Sequence, residues 1–250
     1  CKRWTAYGFG DGEIAVGEGL SYPEERIFQG NVREFCELET DSLAVFLIWN
    51  RRAERREVVC GIPDEQFCRG KVPMTKEEVR SISISKLRLW KDAVIYDVGA
   101  GTGSVAVEMA LQAPDGVVYA VEKNEEAVAL LGKNRVAFAV DHLKIVHGKA
   151  PEALENLPAP THVFLGGSSG NLKEILDIVR KKNKAVRVVI NAITLETVTE
   201  ALTYLKEQEI SGAEVVSVQT ARAREVGRYH MMTGQNPVYV ISFGGERQEG

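Results

Sequence analysis

Three glycines at alternate positions, Gly99, Gly101 and Gly103, follow the acidic residue Asp97 and lead into a segment that begins at Ser104. Glycine lets the backbone turn sharply and lets a ligand approach where a Cβ would interfere. A helix beginning behind the turn would offer free N–H groups. The acid before the glycines would repel a pyrophosphate, but it suits a ligand with a cationic amine. The pattern therefore indicates a turn that binds a ligand.

A second acid, Glu122, stands about twenty residues beyond the glycines, at the end of the apolar run 117–121. A carboxylate in this place can accept hydrogen bonds from both hydroxyls of an adenosyl ribose. Dinucleotide sites use G-x-G-x-x-G, whereas Ser104 occupies the position of the third glycine here. The two acids favour a nucleoside cofactor over a plain structural loop, and an NAD-dependent oxidoreductase is the weaker alternative.

The elements that must position these residues alternate between strand and helix. Apolar runs predict strands at 94–96, 117–121, 143–146, 161–165, 185–190, 214–218 and 238–243. Segments with helical periodicity lie between most of these strands. The last two strands are joined only by a loop, so we expect that pair to be antiparallel. The predicted fold is α/β, with a seven-stranded, mostly parallel sheet, an antiparallel last strand and helices on both faces.

Four loops of this sheet fall at the carboxyl ends of its strands, where ligands bind in such folds. They comprise 97–104, Glu122, 147–151 and the glycine-rich 166–170. Because all four loops fall at the same edge of the sheet, they support a cofactor site there.

Helix signals are also present. Thr75 with Glu78 predicts a capping box and a helix to about Leu89. Asn124 should cap the helix that follows Glu122. The apolar face of a later helix should comprise Leu195, Val198, Leu202 and Leu205.

Composition limits the alternatives. The chain has 250 residues, a net charge of −4 and a pI near 5.7, whereas general nucleic-acid binders are usually basic. The longest apolar run, 43–49, is too short to span a bilayer. The four cysteines form no Cys-x-x-Cys pair and the four histidines lack metal-ligand spacing. We expect a cytoplasmic protein without a bound metal, without a membrane segment and without a nucleic-acid partner.

Residues 1–57 differ from residues 58–250. The first part predicts strands at 13–16 and 43–48, a turn-rich connector at 19–27 and a short helix at 31–38. It has too few strands for a stable sheet of its own. The mixed-charge run 50–57 is typical of a solvated linker. We therefore expect a remnant of another domain followed by the cofactor domain, in a chain cut from a longer protein.

Basic residues cluster on both sides of the predicted cofactor domain. One group lies at 69–88 and includes Arg80; the other comprises Arg222, Arg224, Arg228 and His230. In an acidic protein, such clusters suggest a polyanionic substrate, and loops commonly carry function. The three arginines of the second group are the candidate substrate contacts.

The segment from Asp97 to Gly103 resembles motif I of the class I S-adenosylmethionine (SAM) methyltransferases. The resemblance implies SAM as cofactor and an in-line methyl transfer that relies on orientation. Such a transfer needs no covalent nucleophile, so no catalytic residue is assigned.

Residues 62–67, 72–80, 97–110, 192–197 and 221–237 resemble the decarboxylating methyltransferases of corrin biosynthesis. This resemblance implies methylation of precorrin-6B or cobalt-precorrin-6B at carbon 15, with loss of carbon dioxide from the ring C acetate, in cobalamin synthesis. The cofactor contacts that it implies, together with Asp97, are Thr75, Gly99, Ala100, Gly101, Thr102, Gly103, Glu122 and Ala150. Lys149 stands where the family often has an acid. The family's homotetramers imply a homo-oligomer here.

The first part of the chain resembles the C-terminal end of the tetrapyrrole methylases, through the connector "GE-x-LSYP-x-E-x-I" at 17–27. In many bacteria such a methylase, acting at carbon 5, is fused to the carbon-15 enzyme as precorrin-6Y C(5,15)-methyltransferase. The resemblance implies that this chain normally works with such a half. The alternatives are a methyltransferase of the same fold that acts on RNA, tRNA or protein, and a domain that binds SAM without catalysis.

Overall fold

A computed structural model describes residues 1–5, 10–49 and 60–245 of the chain. Backbone contacts divide the chain into two compact units, Cys1–Glu57 and Val58–Gly250. The predicted linker at 50–57 lies outside the described residues. Within the described ranges, no helix combines the length and the apolar character that crossing a bilayer would require.

The first unit contains a helical turn, α1 (Lys2–Trp4), and three strands, β1 (Glu13–Glu18), β2 (Arg26–Asn31) and β3 (Ala44–Trp49). The strands form an antiparallel sheet in the order β2-β1-β3. The expectation that this part lacks partners for a sheet is therefore wrong, because residues 26–31, most of them beyond the connector, form a third strand.

The short helix expected at 31–38 is also wrong. Strand β2 extends to Asn31, and turns follow. The Asn31 side chain accepts a hydrogen bond from the backbone N–H of Glu34 at 3.1 Å, and the Glu34 carboxylate accepts one from the N–H of Asn31 at 3.0 Å. This reciprocal pair closes a turn, as asparagine commonly does.

The second unit is built on a seven-stranded sheet in the order β6-β5-β4-β7-β8-β12-β9. Its strands are β4 (Val94–Val98), β5 (Val117–Glu122), β6 (Leu143–His147), β7 (His162–Leu165), β8 (Arg187–Ala192), β9 (Glu214–Val218) and β12 (Val238–Phe243). Strand β12 pairs antiparallel with both β8 and β9, and the other pairs of this sheet are parallel. The predicted fold class is confirmed, and the motif strand β4 lies in the middle of the sheet.

Five helices accompany the sheet: α2 (Glu77–Leu87), α3 (Ser104–Gln112), α4 (Glu125–Ala137), α5 (Leu172–Lys182) and α6 (Leu195–Glu207). They pack into two separate apolar clusters. One contains Leu87 and Met109, and the other contains Leu176 and Tyr204. The sheet is therefore covered on both faces.

Two details of α2 differ from expectation, and one predicted helix cap is confirmed. Lys76, not Thr75, is the N-cap of α2, and no side chain caps it, so the predicted capping box is wrong. Helix α2 ends at Leu87 because Arg88 adopts a left-handed backbone with φ +53°. The cap at Asn124 is confirmed, since its side chain accepts a hydrogen bond from the N–H of Ala127 at 3.0 Å.

The apolar face of α6 is rotated from the predicted one. Leu195 and Leu202 are 68% and 45% exposed, whereas Ala201, Tyr204 and Leu205 are buried. Tyr204 was omitted from the predicted face, yet its hydroxyl donates to Asp177 of α5 at 3.0 Å. An aromatic residue with a partner for its hydroxyl can be buried as readily as leucine.

The connection between β9 and β12 is a β-hairpin instead of the expected loop. It comprises β10 (Ala221–Val226) and β11 (Tyr229–Gly234), which pair only with each other. Gly227 lies in the turn with φ +64°, a conformation that glycine adopts easily. The hairpin has almost no buried residue, so its sequence lacks the apolar alternation by which strands are recognised.

Candidate cofactor-binding site

A cavity of about 500 Å³ opens at the carboxyl ends of β4, β5, β6 and β7. This volume lies within the range of ligand pockets. Of the residues predicted to bind cofactor, six line it, namely Thr75, Gly99, Ala100, Gly101, Glu122 and Ala150. Both of the other predicted loops, at 148–150 and 166–169, contribute to its wall. The sequence thus predicted the place of the cavity and about half of the residues that line it.

Two glycines of the motif allow neighbouring loops to close on the turn. Gly99 and Gly101 have φ of +74° and +55°. A Cβ on Gly99 would lie 2.7 Å from the carbonyl oxygen of Gly167, and one on Gly101 would lie 3.1 Å from that of Pro73. The turn therefore presents bare backbone to the cavity.

Gly103 and Thr102 serve packing, not the cavity. A Cβ on Gly103 would lie 2.7 Å from Cγ of Leu131 in α4. Thr102 is 1% exposed, and its carbonyl accepts a hydrogen bond from Asn134 at 2.8 Å. Neither is among the residues that line the cavity. The glycine at the start of α3 lets that helix approach α4, a role that the motif alone does not distinguish from ligand contact.

Glu122 is held in one orientation by backbone donors. Its Oε2 accepts a hydrogen bond from the N–H of Gly101 at 2.9 Å. Its Oε1 accepts from the N–H groups of Lys123 and Asn124, both at 2.8 Å. A carboxylate has about four lone-pair positions, so acceptor capacity remains for a ligand. The side chain lines the cavity while only 9% exposed.

The position of Asp97 differs from the one expected for a residue that contacts the ligand. Its side chain is fully buried below the turn and does not line the cavity. Neither carboxylate oxygen has a hydrogen-bond partner among the described residues. Burial, and secondarily the negative charge of Glu122, raises the pKa of Asp97 to about 8. A buried carboxyl in these surroundings is neutral at pH 7.

Asp97→Asn should change how stability depends on pH. Between the ordinary pKa of 3.8 and about 8, folded wild type holds a proton that the unfolded chain has released. Its stability therefore falls as pH rises through that window, by up to about 1.4 kcal/mol per pH unit. The asparagine has no such proton, so its variant lacks this loss of stability. The variant should therefore become more stable relative to wild type as the pH rises from 5 to 8. Urea unfolding of the ligand-free chain measures this, and parallel pH profiles would contradict it.

Thr75 is positioned by a buried guanidinium. Arg80 is completely buried, and its Nη1 donates to the carbonyl of Thr75 at 2.6 Å. Its Nε donates to Glu108 at 2.5 Å, and its Nη1 lies 3.2 Å from Asp64. Its Nη2 donates to the carbonyl of Ile62. Arg80 is thus a structural residue, and its assignment to a basic surface cluster was wrong.

Sequence reasoning missed this network, although a signal was present. Glu108 stands in the otherwise apolar run of α3, and a buried acid requires a partner. Its carboxylate also accepts hydrogen bonds from the N–H groups of Gly61 and Ile62 at 2.9 and 3.0 Å. The network therefore holds the segment before α2 against α3.

The far wall of the cavity is made by two loops. The carbonyl of Ala150 accepts a hydrogen bond from Asn171 at 3.2 Å. Nζ of Lys123 donates to Oγ of Ser169 at 2.9 Å, and both residues line the cavity. Lys149 lines it as well. Sequence reasoning did not single out Lys123.

The three arginines proposed as substrate contacts lie on the hairpin, and none lines the cavity as the described residues form it. Arg222 makes a two-pronged ion pair with Glu78 of α2, at 2.9 and 3.0 Å. This contact lowers the pKa of the Glu78 carboxyl. Arg224 is exposed, and the guanidinium of Arg228 lies 5.7 Å from the ring centre of Tyr229.

Comparison with known proteins agrees with this geometry. A family model described as "Precorrin methyltransferase domain" matches residues 66–243. The chain belongs to this precorrin methyltransferase family. A relative from Pyrobaculum calidifontis, named "Probable cobalt-precorrin-6B C(15)-methyltransferase (decarboxylating)", is 44% identical over 185 residues, which cover 73% of this chain and 94% of the relative.

Two solved structures of similar proteins have the same architecture. One, from Geobacter metallireducens, is titled "Precorrin-6y C5,15-methyltransferase"; it is 38% identical with a TM-score of 0.70, and the match covers 76% of this chain and 100% of that one. The other, from Methanobacterium thermoautotrophicum, is titled "precorrin 8W decarboxylase"; it is 35% identical with a TM-score of 0.68, over 73% of this chain and 99% of that one. The matched family segment contains the whole glycine turn and Glu122.

Proposed function

We propose that the chain is a SAM-dependent methyltransferase that methylates precorrin-6B or cobalt-precorrin-6B at carbon 15 and removes the ring C acetate carboxyl as carbon dioxide. The observation that carries the proposal is Glu122, a carboxylate fixed beside a bare glycine turn, within a segment that matches the precorrin methyltransferase family. The names of the relatives indicate the substrate.

The residues of the cavity fit SAM. Gly101 lines the cavity without a side chain, and Glu122 retains acceptor capacity for ribose hydroxyls. Thr75 and the backbone of Ala150 line the remaining wall. When bound, the cofactor supplies a methyl group on a sulfonium centre. The described residues of the cavity serve to orient the reactants and exclude water, which can lower a barrier substantially without a covalent nucleophile.

Calorimetric titration of the chain with S-adenosylhomocysteine, beside NAD, tests the cofactor. Binding of the first alone is expected. Binding of NAD, or of neither, would refute the cofactor assignment. Incubation with SAM and cobalt-precorrin-6B then tests the reaction, since methylation and release of carbon dioxide should occur in equal amounts. Binding of S-adenosylhomocysteine without turnover of this substrate would leave RNA or protein methylation as the alternative.

We propose that the hairpin carries the substrate's carboxylates on Arg224 and Arg228, while Arg222 holds the hairpin to α2. The ion pair of Arg222 with Glu78 supports this division. Alanine at Arg224 and Arg228 should weaken substrate binding and leave S-adenosylhomocysteine binding unchanged. An unaltered substrate affinity would refute the role of these two residues.

We also propose that copies of the chain assemble through the hairpin. Val226, Tyr229 and Met231 share one face of the hairpin with Arg224, and these three apolar side chains are 47%, 66% and 58% exposed. An isolated two-stranded hairpin is marginally stable, and burying this face in an oligomer would stabilise it. The homotetramers implied by the family resemblance agree with such an assembly.

Tyr229→Glu should dissociate the oligomer because it places a carboxylate directly opposite Val226, at a position of this face whose cross-strand partner is not an arginine. Met232→Glu is the matched control, since Met232 lies on the opposite face beside Glu225 and His230, where a charge is already tolerated. Light scattering should show a lower mass for the first variant and an unchanged mass for the second. Equal masses for both variants and wild type would contradict this arrangement.

We propose that the first unit is the end of a carbon-5 tetrapyrrole methylase, and that the chain works beside the rest of that enzyme. The exposed apolar residues of β3, which include Val45, Phe46 and Leu47, support a surface that packs on other protein. The four free cysteines support a reducing compartment such as the cytoplasm. Co-purification with a separately expressed carbon-5 half tests the partnership.

A further inference from the structure

A second cavity, of about 560 Å³, lies at the opposite edge of the sheet from the cofactor site. It is formed where β8 begins and β12 ends. Arg187, the first residue of β8, is 6% exposed and lines this cavity. The cavity has no role in the methyl transfer proposed above.

Arg187 is a buried cation, and no carboxylate of the described residues is among its hydrogen-bond partners. Its Nε donates to the carbonyl of Lys86 at 2.8 Å, its Nη1 to the carbonyl of Gly244 at 3.1 Å, and its Nη2 to the hydroxyl of Ser242 at 3.1 Å. All three acceptors are neutral oxygens. A guanidinium has five N–H donors, so two are left after these bonds. Burial, and secondarily the like charge of Arg88, lowers the pKa of Arg187.

The rest of the lining is positively charged overall. Arg88, Arg180 and Lys184 join Arg187, against the carboxylates of Glu209 and Glu214. The Glu214 carboxylate is already bound by Nζ of Lys86 at 2.6 Å. Lys184 is exposed and Arg180 is partly buried, so both can approach a ligand that enters from solvent.

We propose that this cavity binds the phosphate group of a small metabolite, with Arg187 as the buried anchor and Arg180 and Lys184 on the rim. A phosphate monoester carries a charge of about −1.5 to −2 at pH 7, which matches the excess of cations better than a single carboxylate does. Charge-assisted bonds to arginine are strong and directional. The volume leaves room for more than the phosphate alone.

The test is calorimetric titration of the full chain with inorganic phosphate, pyrophosphate and citrate at fixed ionic strength, because salt screens exposed charges. Binding of phosphate and pyrophosphate is expected. Binding of citrate alone would overturn the assignment to phosphate, and binding of none of the three would overturn the site.

Lys184→Gln and Lys181→Gln form a matched pair of variants. Both remove one exposed positive charge at the end of α5 or just beyond it, but only Lys184 lines the cavity. Lys184→Gln should weaken pyrophosphate binding about three- to fivefold, as expected for an exposed ion pair at the rim, whereas Lys181→Gln should leave it unchanged. Equal losses would mean diffuse electrostatic attraction and would overturn the proposal.

Arg187→Lys tests the anchor, because lysine keeps the charge but loses the planar fork. It should reduce pyrophosphate affinity more than Lys184→Gln does. The Lys184 and Lys181 pair decides the question if the Arg187 variant does not fold. Binding of S-adenosylhomocysteine should be unchanged in the Lys184 variant, so failure of this proposal is distinguishable from failure of the cofactor assignment.

Discussion

Glu122→Gln should weaken S-adenosylhomocysteine binding by at least about a hundredfold, although the two side chains have nearly the same shape. Both carboxylate oxygens face backbone N–H groups, those of Gly101 on one side and of Lys123 and Asn124 on the other. A glutamine must direct its NH₂ group at one of these donors. The side chain would turn away, and the ribose would lose two charge-assisted bonds of about 1.5–3 kcal/mol each.

Glu126→Gln is the control for this variant, because Glu126 lines the same cavity but is exposed. It should change the affinity less than about threefold, since exposed charges contribute little. Calorimetry gives both affinities, and circular dichroism checks that both variants are folded. An affinity of Glu122→Gln within threefold of wild type would show that the cofactor does not use this carboxylate.

Arg80→Met should destabilise the second unit by about 3–5 kcal/mol, the cost of leaving buried charges without their partner. Glu108 would keep only its two backbone donors, and the buried Asp64 would lose its contact with Arg80. The carbonyl of Thr75 would also lose its donor. We therefore expect weaker S-adenosylhomocysteine binding in addition to a lower free energy of unfolding in urea.

Arg69→Met is the comparison for this loss, because Arg69 is exposed and its replacement should change stability by less than about 0.5 kcal/mol. Adding Glu108→Gln to Arg80→Met should recover part of the loss, since less uncompensated negative charge would then be buried. If Arg80→Met costs less than about 1 kcal/mol, the network does not hold the segment before α2 in place.

The parts of the fold that were predictable are those where burial imposes a pattern. Strands β4, β5 and β8 are buried apolar runs, and parallel order follows from the helices between them. The hairpin of β10 and β11 was missed because it has no core of its own, so no periodicity marks it. Strand β2 was missed for the same reason, because none of its residues is fully buried.

The residues of the candidate site likewise include some that the sequence predicts and some that it does not. Gly99, Gly101 and Glu122 follow directly from the order strand, turn, helix, and the structure places them together. Asp97 could not be assigned from its position, because the sequence does not show whether a strand-end side chain faces a cavity or the core. Arg80 and Glu108 are 28 residues apart, and a pairing of this kind is decided by tertiary packing. Periodicity gives no information about it.

The ion pair between Arg222 and Glu78 connects the hairpin to the first turn of α2, directly beyond Thr75 of the cofactor cavity. If assembly orders the hairpin, it also orders one wall of that cavity, so subunit association and cofactor affinity become thermodynamically linked. Linkage is reciprocal. If assembly raises the cofactor affinity by some factor, cofactor binding raises the association constant of the subunits by the same factor. Occupancy by SAM would then depend on protein concentration, and a dilute chain would release the cofactor more readily than a concentrated one.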